Sequence, residues 1–356
     1  MKNLKIIIIS IVQIISFCLS LDCDQELEIE LWGFCHNIET TTELNYAYMY
    51  LGDIPSRIGQ LINLNYIHIS DCGLSGIIPS EIGNLYNLIS LQIYDNNLDL
   101  PDSLNLNINS NLEGLIPPEI GNLSNLQQLD LRNNQLSGAL PNELLSLTNL
   151  KSLLLDGNQL SGNILFGIGQ LEDLVSLDFG NNQFYGPIPE SLYDLVNLNF
   201  LALNNNYLTG NINSDIGHLS ALYFIDLSSN YFLGNLPAEI SLIDLYFLKI
   251  NSNQFSGFLQ DEFCNINYLD LSDNKFCQPY PECINVNNLG FQDTSDCIFC
   301  SEILGDINND NYIDILDIVN MRNCILLDYC NECSDINLDE TINIQDIILL
   351  VETILN

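Results

Sequence analysis

The chain has 356 residues, with 46 acidic and 8 basic side chains, so it is long enough for two domains and is strongly negative. That charge argues against nucleic acid or an anionic membrane surface as a partner. Because Lys and Arg are scarce along the whole chain, the acidic excess reflects a saline habitat or a compositional bias as readily as a ligand.

The N-terminal residues predict a secretory signal over residues 1–20. Lys2 and Lys5 precede an apolar run that ends at Leu19, and the small residue Ser20 follows. This order of charged, apolar and small residues predicts cleavage after Ser20. The run is too short for a membrane anchor, and no later segment is long and apolar enough to span a bilayer. We therefore expect a soluble, extracellular mature protein.

A repeat of the form L-x-x-L-x-L-x-x-N-x-L-x-G-x-I-P occupies the chain from about residue 61 to residue 290. Its Asn recurs at spacings of 24 residues, then 23 and 21, at Asn134, Asn158, Asn182, Asn206, Asn230, Asn253 and Asn274. Upstream, Asn96 belongs to the same series, Cys72 lies one period before it, and a shortened copy is predicted around Asn111. A fixed period of this length predicts a solenoid whose coils share one core.

The leucine spacing resembles that of leucine-rich repeats. Gly76-Ile77-Ile78-Pro79 and similar segments carry the G-x-I-P signature of the plant-type extracellular class. The array is similar to polygalacturonase-inhibiting proteins and to receptor-like ectodomains. This resemblance implies an α/β leucine-rich-repeat solenoid over residues 61–296, including a C-terminal cap, with a parallel sheet on its concave face. In such repeats Cys substitutes for the Asn, so Cys72 is predicted to be a buried, unpaired thiol.

Variable strand positions predict a partner-binding surface on the concave face. One column across the strands ends in consecutive aromatic residues, and the neighbouring column is rich in Asp. The aromatic positions are Tyr66, Phe200, Phe224, Phe247 and Tyr268, and the acidic positions include Asp130, Asp178, Asp226 and Asp270. Such a surface suits sugar rings or a basic, apolar protein patch. The alternative is that the rings only pack against each other along the strands.

Cysteines flank the array at both ends. Of the 12 cysteines, Cys18 leaves with the signal, so an odd number remains in an oxidising compartment. Residues 21–60 look like an N-terminal cap with a disulfide between Cys23 and Cys35. Cys264, Cys277 and Cys283 straddle the last repeat, and their connectivity is left open.

Two C-x-x-C motifs lie farther along the chain, beginning at Cys297 and Cys330. In a cytosolic protein this pair would suggest a structural zinc site. In an oxidising compartment the preferred interpretation is disulfides that tie the C-terminal domain together, and a redox-active motif has less support still.

Residues 297–356 contain one loop pattern twice. Residues 306–317 and 335–346 both read D-I-N-x-D-x-x-I-x-I-x-D, and an apolar helical stretch follows each copy. Oxygen atoms at loop positions 1, 3, 5, 7, 9 and 12 suit calcium, with position 7 contributing its backbone carbonyl. The predicted ligands are Asp306, Asn308, Asp310, Tyr312, Asp314, Asp317, Asp335, Asn337, Asp339, Thr341, Asn343 and Asp346.

The paired loops resemble a dockerin module, which carries Asp at position 12 where ordinary EF-hands carry Glu. The resemblance implies a small α-helical domain with a double calcium loop, calcium as the cofactor and a cohesin-like protein as the partner. The implied contact residues are Ile315, Leu316, Arg322, Ile344 and Gln345. For Arg322 a solvated surface role is the alternative.

Position 6 of each loop departs from the family pattern, which has Gly there. The residues are Asn311 and Glu340. Because Glu tolerates a left-handed backbone less well than Asn or Gly, the second calcium site is predicted to be the weaker one.

Taken together, these patterns favour a secreted recognition protein. Its concave face would bind a protein or glycan, and its calcium module would dock to a cohesin-type scaffold or surface. One alternative is an extracellular inhibitor of wall-degrading enzymes in which the calcium module is only a cap. Another is a hydrolase within polysaccharide-degrading complexes. We predict no enzyme activity, because His36, His68 and His218 have no catalytic partner at motif spacing and repeats produce acidic columns automatically.

Overall fold

The structure, a computed structural model, describes residues 23–24, 26–96, 112–278, 280–295, 297, 305–307, 312–327, 334, 336–337 and 341–355. The predicted signal, residues 1–20, lies outside the described residues. Among the helices of the described ranges, none is long and apolar enough to cross a membrane.

An antiparallel hairpin covers the N-terminal end of the array. Its strands are β1, Glu28–Leu31, and β2, Phe34–Asn37. A disulfide joins Cys23 to Cys35. Trp32 donates its Nε1–H to the backbone oxygen of Asp53 at 2.9 Å and packs edge-on against Tyr46, with 5.4 Å between ring centroids. The hairpin therefore shields the first coil, as the exposed end of a solenoid requires.

Each coil begins with a short strand that pairs in parallel with the strand of the next coil, which confirms the predicted parallel-sheet solenoid. The solvent side of this first sheet is called the concave face below. Central residues such as Leu153 and Leu177 are buried, whereas their neighbours in the strand face outward, as strand alternation dictates. The strands are β3 (Glu43–Ala47), β5 (Tyr66–Ser70), β7 (Ser90–Tyr94), β9 (Gln128–Asp130), β11 (Ser152–Leu154), β13 (Ser176–Asp178), β15 (Phe200–Ala202), β17 (Phe224–Asp226), β19 (Phe247–Lys249) and β21 (Tyr268–Asp270).

In each coil a strand of a second parallel sheet follows the regularly spaced Asn of the repeat, such as Asn206, which is called the ladder Asn below. In the G-x-I-P signature Gly186 has a φ of 81°, which favours glycine, and Pro189 is extended at the start of a short helix. The strands of this sheet are β4 (Gly52–Asp53), β6 (Leu74–Ile77), β8 (Leu112–Gly114), β10 (Gln135–Gly138), β12 (Gln159–Gly162), β14 (Gln183–Gly186), β16 (Tyr207–Gly210), β18 (Tyr231–Asn235), β20 (Gln254–Phe258) and β22 (Lys275–Cys277). The 3₁₀ helices are Ser56–Gln60, Ser80–Asn84, Pro118–Asn122, Asn142–Ser146, Ile168–Gln170, Glu190–Asp194, Ser214–His218, Ala238–Leu242 and Asp261–Asn265.

The buried asparagines of the repeat connect consecutive coils. Asn206 donates through Nδ2 to the backbone oxygens of Phe179 at 2.9 Å and Leu203 at 3.1 Å, and its Oδ1 accepts the N–H of Phe184 at 2.9 Å. An amide supplies both donors and an acceptor, so it satisfies backbone groups that the turn leaves open. At the equivalent position Cys72 is buried and free, and burial raises the pKa of its thiol to about 11, which keeps it unreactive.

A second set of asparagines links the coils on the other side of the first sheet. Asn87 donates Nδ2–H to the backbone oxygen of Ile62, Asn149 to that of Ser124 and Asn197 to that of Glu172, at 2.7 to 2.9 Å. This set was not predicted from the sequence. In the sequence these residues are recognisable as an Asn directly before a core Leu in most repeats. Asp173 and Ala221 replace that Asn in two of them.

The prediction of a separate shortened coil around Asn111 is wrong. Strand β7 pairs directly with β9, so no strand of the first sheet lies between them. Strand β8, which follows Asn111, pairs with β6 and β10 and completes the coil that β7 begins. Asn111 itself lies outside the described residues.

The C-terminal end of the array is closed by a short helix, α1 (Val286–Leu289), and by disulfides. Gln292 replaces the ladder Asn: its Nε2 donates to the backbone oxygen of Leu271 at 2.8 Å and its Oε1 accepts the N–H of Phe276 at 3.0 Å. Disulfides join Cys264 to Cys283 and Cys277 to Cys297.

The bond between Cys277 and Cys297 corrects the interpretation of the first C-x-x-C motif. Cys297 forms a disulfide with the last repeat, so it is not available for a zinc site or for a disulfide within the C-terminal domain. Cys324 is disulfide-bonded as well. Cys300, Cys330 and Cys333 lie outside the described residues.

Helices α2 (Ile315–Leu327) and α3 (Ile344–Leu355) follow the two repeated loops. Between them lies a small core in which Ile307, Met321, Cys324 and Leu350 are buried, with Ile318 and Ile347 packed at its edge. Each helix begins at position 10 of a predicted calcium loop, so the last three loop positions lie in its first turn.

Candidate functional site

Aromatic rings stack in a continuous row on the concave face. The register pairs Phe200 with Phe224, Phe224 with Phe247 and Phe247 with Tyr268 in adjacent strands. Their ring centroids are 4.5, 4.3 and 4.4 Å apart and the rings lie within 10° of parallel. We call these four residues the aromatic ridge. Tyr66 belongs to the same column but lies at the other end of the sheet, beyond Ser90, Gln128, Ser152 and Ser176.

The stacking determines what the aromatic ridge presents to a ligand. Sugar rings bind aromatic residues face to face, but the interior ring faces of the ridge contact each other. The edges, which carry the positive part of the ring quadrupole, are left for a ligand. The rings therefore do pack on each other along the strands, and their edges form an apolar surface suited to protein side chains.

A second aromatic stack lies beside the ridge and was missed by the sequence analysis. Tyr223 and Tyr246 precede Phe224 and Phe247, and their rings stack 5.1 Å apart at 6°. Both are about half exposed, at 48% and 47%. The stack could have been predicted from the sequence, because Tyr occupies the same repeat position in two consecutive coils.

The column that contains Asp130, Asp178, Asp226 and Asp270 is not acidic in every strand. Leu154, Ala202 and Lys249 occupy the intervening strands. Asp130 is held by Arg132, with 2.7 Å between Oδ2 and Nη2. Asp226 lies 3.8 Å from the Lys249 ammonium, and its Oδ1 also accepts from Ser228.

Asp178 and Asp270 retain an uncommitted carboxylate oxygen. Oδ1 of Asp178 accepts the N–H of Gly180 at 3.2 Å, and Oδ1 of Asp270 accepts the Ser272 hydroxyl at 2.7 Å. In the described part of the chain no group donates a hydrogen bond to Oδ2 of either residue. Burial and the neighbouring Asp156 carboxylate raise the pKa of Asp178 to about 6.

Replacing Asp178 by Asn should stabilise the protein well above pH 6, because the charged carboxylate is disfavoured in the folded state there. The raised pKa corresponds to a gain of up to about 3 kcal/mol. As the pH falls through 6 toward 3.8, the wild-type carboxyl becomes neutral and the difference should disappear. Urea unfolding of both proteins across this pH range measures it.

The matched control for this substitution is Asp270→Asn, in the same column. Both Asn variants keep an acceptor oxygen for the local hydrogen bond. A gain for Asp178→Asn that is independent of pH, or equal gains for the two variants, would contradict the burial argument.

Position 12 of each C-terminal loop holds the loop together through the same pair of hydrogen bonds. Asp317 accepts the N–H of Ile307 at Oδ1 and that of Asp314 at Oδ2, at 2.7 and 2.8 Å. Asp346 accepts the N–H of Ile336 and of Asn343 in the same way, both at 2.8 Å. Both carboxylates are fully buried.

The described donor set is compatible with calcium. Asp306 and Asp317 bring two fully buried carboxylates to the first loop, and a carboxylate oxygen can accept an N–H and contact a cation at the same time. Described oxygen-bearing residues at ligand positions also include Tyr312, Asp314, Asn337, Thr341, Asn343 and Asp346. The remaining predicted ligands, Asn308, Asp310, Asp335 and Asp339, lie outside the described residues. An all-oxygen set of this kind suits a hard cation.

The predicted dockerin contacts lie on the surface of the two helices. Ile315 and Ile344 are both 69% exposed, at matching positions in the two copies, and Leu316 and Gln345 follow them. Arg322 is exposed and donates to Asn323 at 2.9 Å, which is a surface arrangement. Val319 and Ile348, which were not predicted as contacts, are exposed one helical turn after Ile315 and Ile344.

Comparisons with known proteins identify the array. A Leucine Rich Repeat family model matches residues 63–85, 125–147, 149–171 and 173–195. The Arabidopsis receptor kinase HAESA, solved with the peptide hormone IDA and the co-receptor SERK1, has 32% identity and a TM-score of 0.61, over 68% of this chain and 39% of that chain. The plant peptide hormone receptor RGFR1, in complex with RGF2, has 29% identity and a TM-score of 0.54, over 70% of this chain and 46% of that chain. The repeat array is a leucine-rich repeat solenoid, and it is similar to the ectodomains of these plant receptors.

A plant ice-binding protein shares the fold of this leucine-rich repeat solenoid, with 23% identity and a TM-score of 0.54, over 77% of this chain and 89% of that chain. No curated protein sequence matches the chain. The chain spans less than half the length of the two receptor structures. The matches to the family model all lie within the repeats, so the calcium prediction depends on the sequence and the contacts of the C-terminal loops alone.

Proposed function

We propose that this chain is a secreted recognition protein whose leucine-rich repeat solenoid binds a protein ligand and whose C-terminal module docks, with calcium bound, to a cohesin-type protein. The solenoid resembles ectodomains solved in complex with peptide hormones, which supports a peptide or protein ligand for the concave face. The edge-on aromatic ridge favours such a ligand over a glycan, because its interior ring faces are occupied by neighbouring rings.

The observation that carries the docking proposal is the duplicated geometry of Asp317 and Asp346. Two separate loops place a buried carboxylate on equivalent backbone N–H groups, and each loop leads into a helix with an exposed Ile in its first turn. Calcium, when bound, would supply the positive charge that several carboxylates in one loop require. Asp317 and Asp346 would then hold both the loop and the ion.

The test uses the full chain and a panel of purified cohesin-type proteins immobilised on a sensor surface. Retention of the chain with calcium and its release by a chelator would support the proposal. Equal retention with and without calcium, or no retention by any cohesin-type protein, would reject calcium-dependent docking and favour the cap alternative.

Exchanging Ile315 and Ile344 for Asp should weaken retention on the matching cohesin-type protein by at least about tenfold, because each places a charge in an apolar contact. Calcium binding should be unchanged, since neither side chain is a predicted ligand. Binding is measured by surface plasmon resonance and calcium by calorimetric titration.

Leu355→Asp is the matched control, because Leu355 is 79% exposed in the last turn of α3, away from the two loop ends. It should retain wild-type docking. If it weakened docking as much as the Ile315 and Ile344 exchanges, the proposed contact surface would be wrong.

A further inference from the structure

The charges beside the aromatic ridge are arranged with negative ends and a neutral centre. Asp178 in β13 and Asp270 in β21 each offer a carboxylate Oδ2 without a hydrogen bond from the described residues. Between them, Ala202 is uncharged and Asp226 is paired with Lys249 at 3.8 Å. A ligand lying along this column therefore meets negative charge at its two ends only.

The central stretch is apolar over the same strands. The ridge extends from Phe200 in β15 to Tyr268 in β21, and Tyr223 and Tyr246 widen it on one side. Continuous ring stacking fixes these side chains before any ligand binds, so little side-chain entropy is lost on binding. A preformed apolar strip with negative ends calls for a partner with apolar side chains between positive ends.

The sheet geometry sets the length of that partner. Asp178 and Asp270 are separated by four strand-to-strand steps, through β15, β17 and β19. At about 4.8 Å per step the two carboxylates are about 19 Å apart, and an extended peptide covers that distance in about six residues.

We propose that this part of the concave face binds an extended peptide segment in which apolar residues lie between two Lys or Arg residues about six positions apart. The assignment rests on the proposed function and specifies its ligand. One basic residue contacts Asp178, the other contacts Asp270, and the apolar residues between them pack on the ring edges of Phe224 and Phe247.

The test is selection from a displayed library of random peptides on the immobilised full chain, at physiological ionic strength. The expected result is enrichment of peptides with two basic residues about six positions apart and apolar residues between them. The enriched peptide should then bind at least about tenfold more weakly to Asp178→Asn and to Asp270→Asn, and its affinity should fall as salt is added.

The aromatic ridge is tested with Phe224→Ser and Phe247→Ser, because Ser152 and Ser176 occupy the same column in coils of this chain. Each should weaken the selected peptide by at least about tenfold. Asp261→Asn removes the same charge from an exposed 3₁₀ helix outside the sheet and should leave the affinity unchanged. Circular dichroism verifies that all variants are folded.

Several outcomes would overturn the assignment. Enriched peptides that are acidic or lack basic residues would show a ligand of other chemistry, and the proposed function would remain. Binding of a neutral glycan that is lost in Phe224→Ser would make the ridge a sugar site. A library without enrichment would reject a peptide ligand. Calcium-dependent docking is tested in a separate experiment, whose result does not depend on this one.

Discussion

Replacing Asn206 by Ala should destabilise the solenoid by about 3 to 5 kcal/mol, because each buried backbone group left without a partner costs about 1 to 3 kcal/mol. Asn206 is buried, donates to Phe179 and Leu203 and accepts from the N–H of Phe184. Alanine offers none of these contacts and leaves the three backbone groups without a side-chain partner. Chemical denaturation of the full chain, followed by circular dichroism, measures the loss.

The control for this substitution is Asn197→Ala in the same coil. Asn197 also donates to a backbone oxygen, that of Glu172 at 2.9 Å, but it is exposed, so water replaces the lost bond. Its cost should stay at or below about 1 kcal/mol. Similar losses in the free energy of unfolding for the two variants would mean that burial does not determine how much these asparagine hydrogen bonds stabilise the solenoid. Because coils interact with their neighbours, the Asn206 variant should also lose cooperativity in the middle of the array.

The paired substitution Asp317→Ala, Asp346→Ala should abolish calcium binding by the C-terminal module. Each aspartate is a predicted ligand and also holds two backbone N–H groups of its loop. Its loss removes a negative charge from the site and releases the loop that would arrange the other ligands, so the affinity should drop by at least about a hundredfold. Calorimetric titration of the full chain with calcium measures this loss.

Asp317→Asn, Asp346→Asn separates the two roles of these side chains. Asn retains one acceptor oxygen for the loop but carries no charge and places an NH₂ group where the second N–H is accepted. Binding should therefore be weakened and not restored to the wild-type level. Glu239→Ala, on a 3₁₀ helix of the solenoid, controls for the loss of charge and should bind calcium normally. Undiminished binding by the Ala pair would show that the loops are not calcium sites.

The register of the concave face could be predicted because the repeat fixes it. Once the ladder Asn is located, the residue six positions earlier belongs to one column, and the structure pairs Phe200, Phe224 and Phe247 in that order. The repeat period does not predict how the aromatic rings are oriented. Whether aromatic rings lie face to face or offer their faces to solvent depends on rotamers that neighbouring coils select.

Other features escaped the sequence for physical reasons of their own. The residues before Leu112 contain Leu and Asn at repeat-like spacing, which predicts a coil, and only the direct pairing of β7 with β9 excludes a further strand between them in the first sheet. The second asparagine set was hidden because Asp173 and Ala221 break it. Disulfide partners depend on distances in the fold, so Cys277 and Cys297 could not be matched from their spacing.

In the C-terminal loops the sequence predicts a set of calcium ligands and assigns position 12 the role of a ligand alone. Asp317 and Asp346 emerge as the residues that join the two ends of each loop through backbone hydrogen bonds. This role follows from a short side chain, since Asp keeps its carboxylate close to the helix start and within reach of the backbone at positions 2 and 9.

If the proposed docking anchors the protein at its C-terminus, the bond between Cys277 and Cys297 has a mechanical consequence. Cys277 belongs to β22, which is hydrogen-bonded along the second sheet. Tension applied through the C-terminal helices would pass from Cys297 directly into that strand, without stretching the intervening segment that contains α1. The capping segment would then stay in place over the last coil while the molecule is pulled.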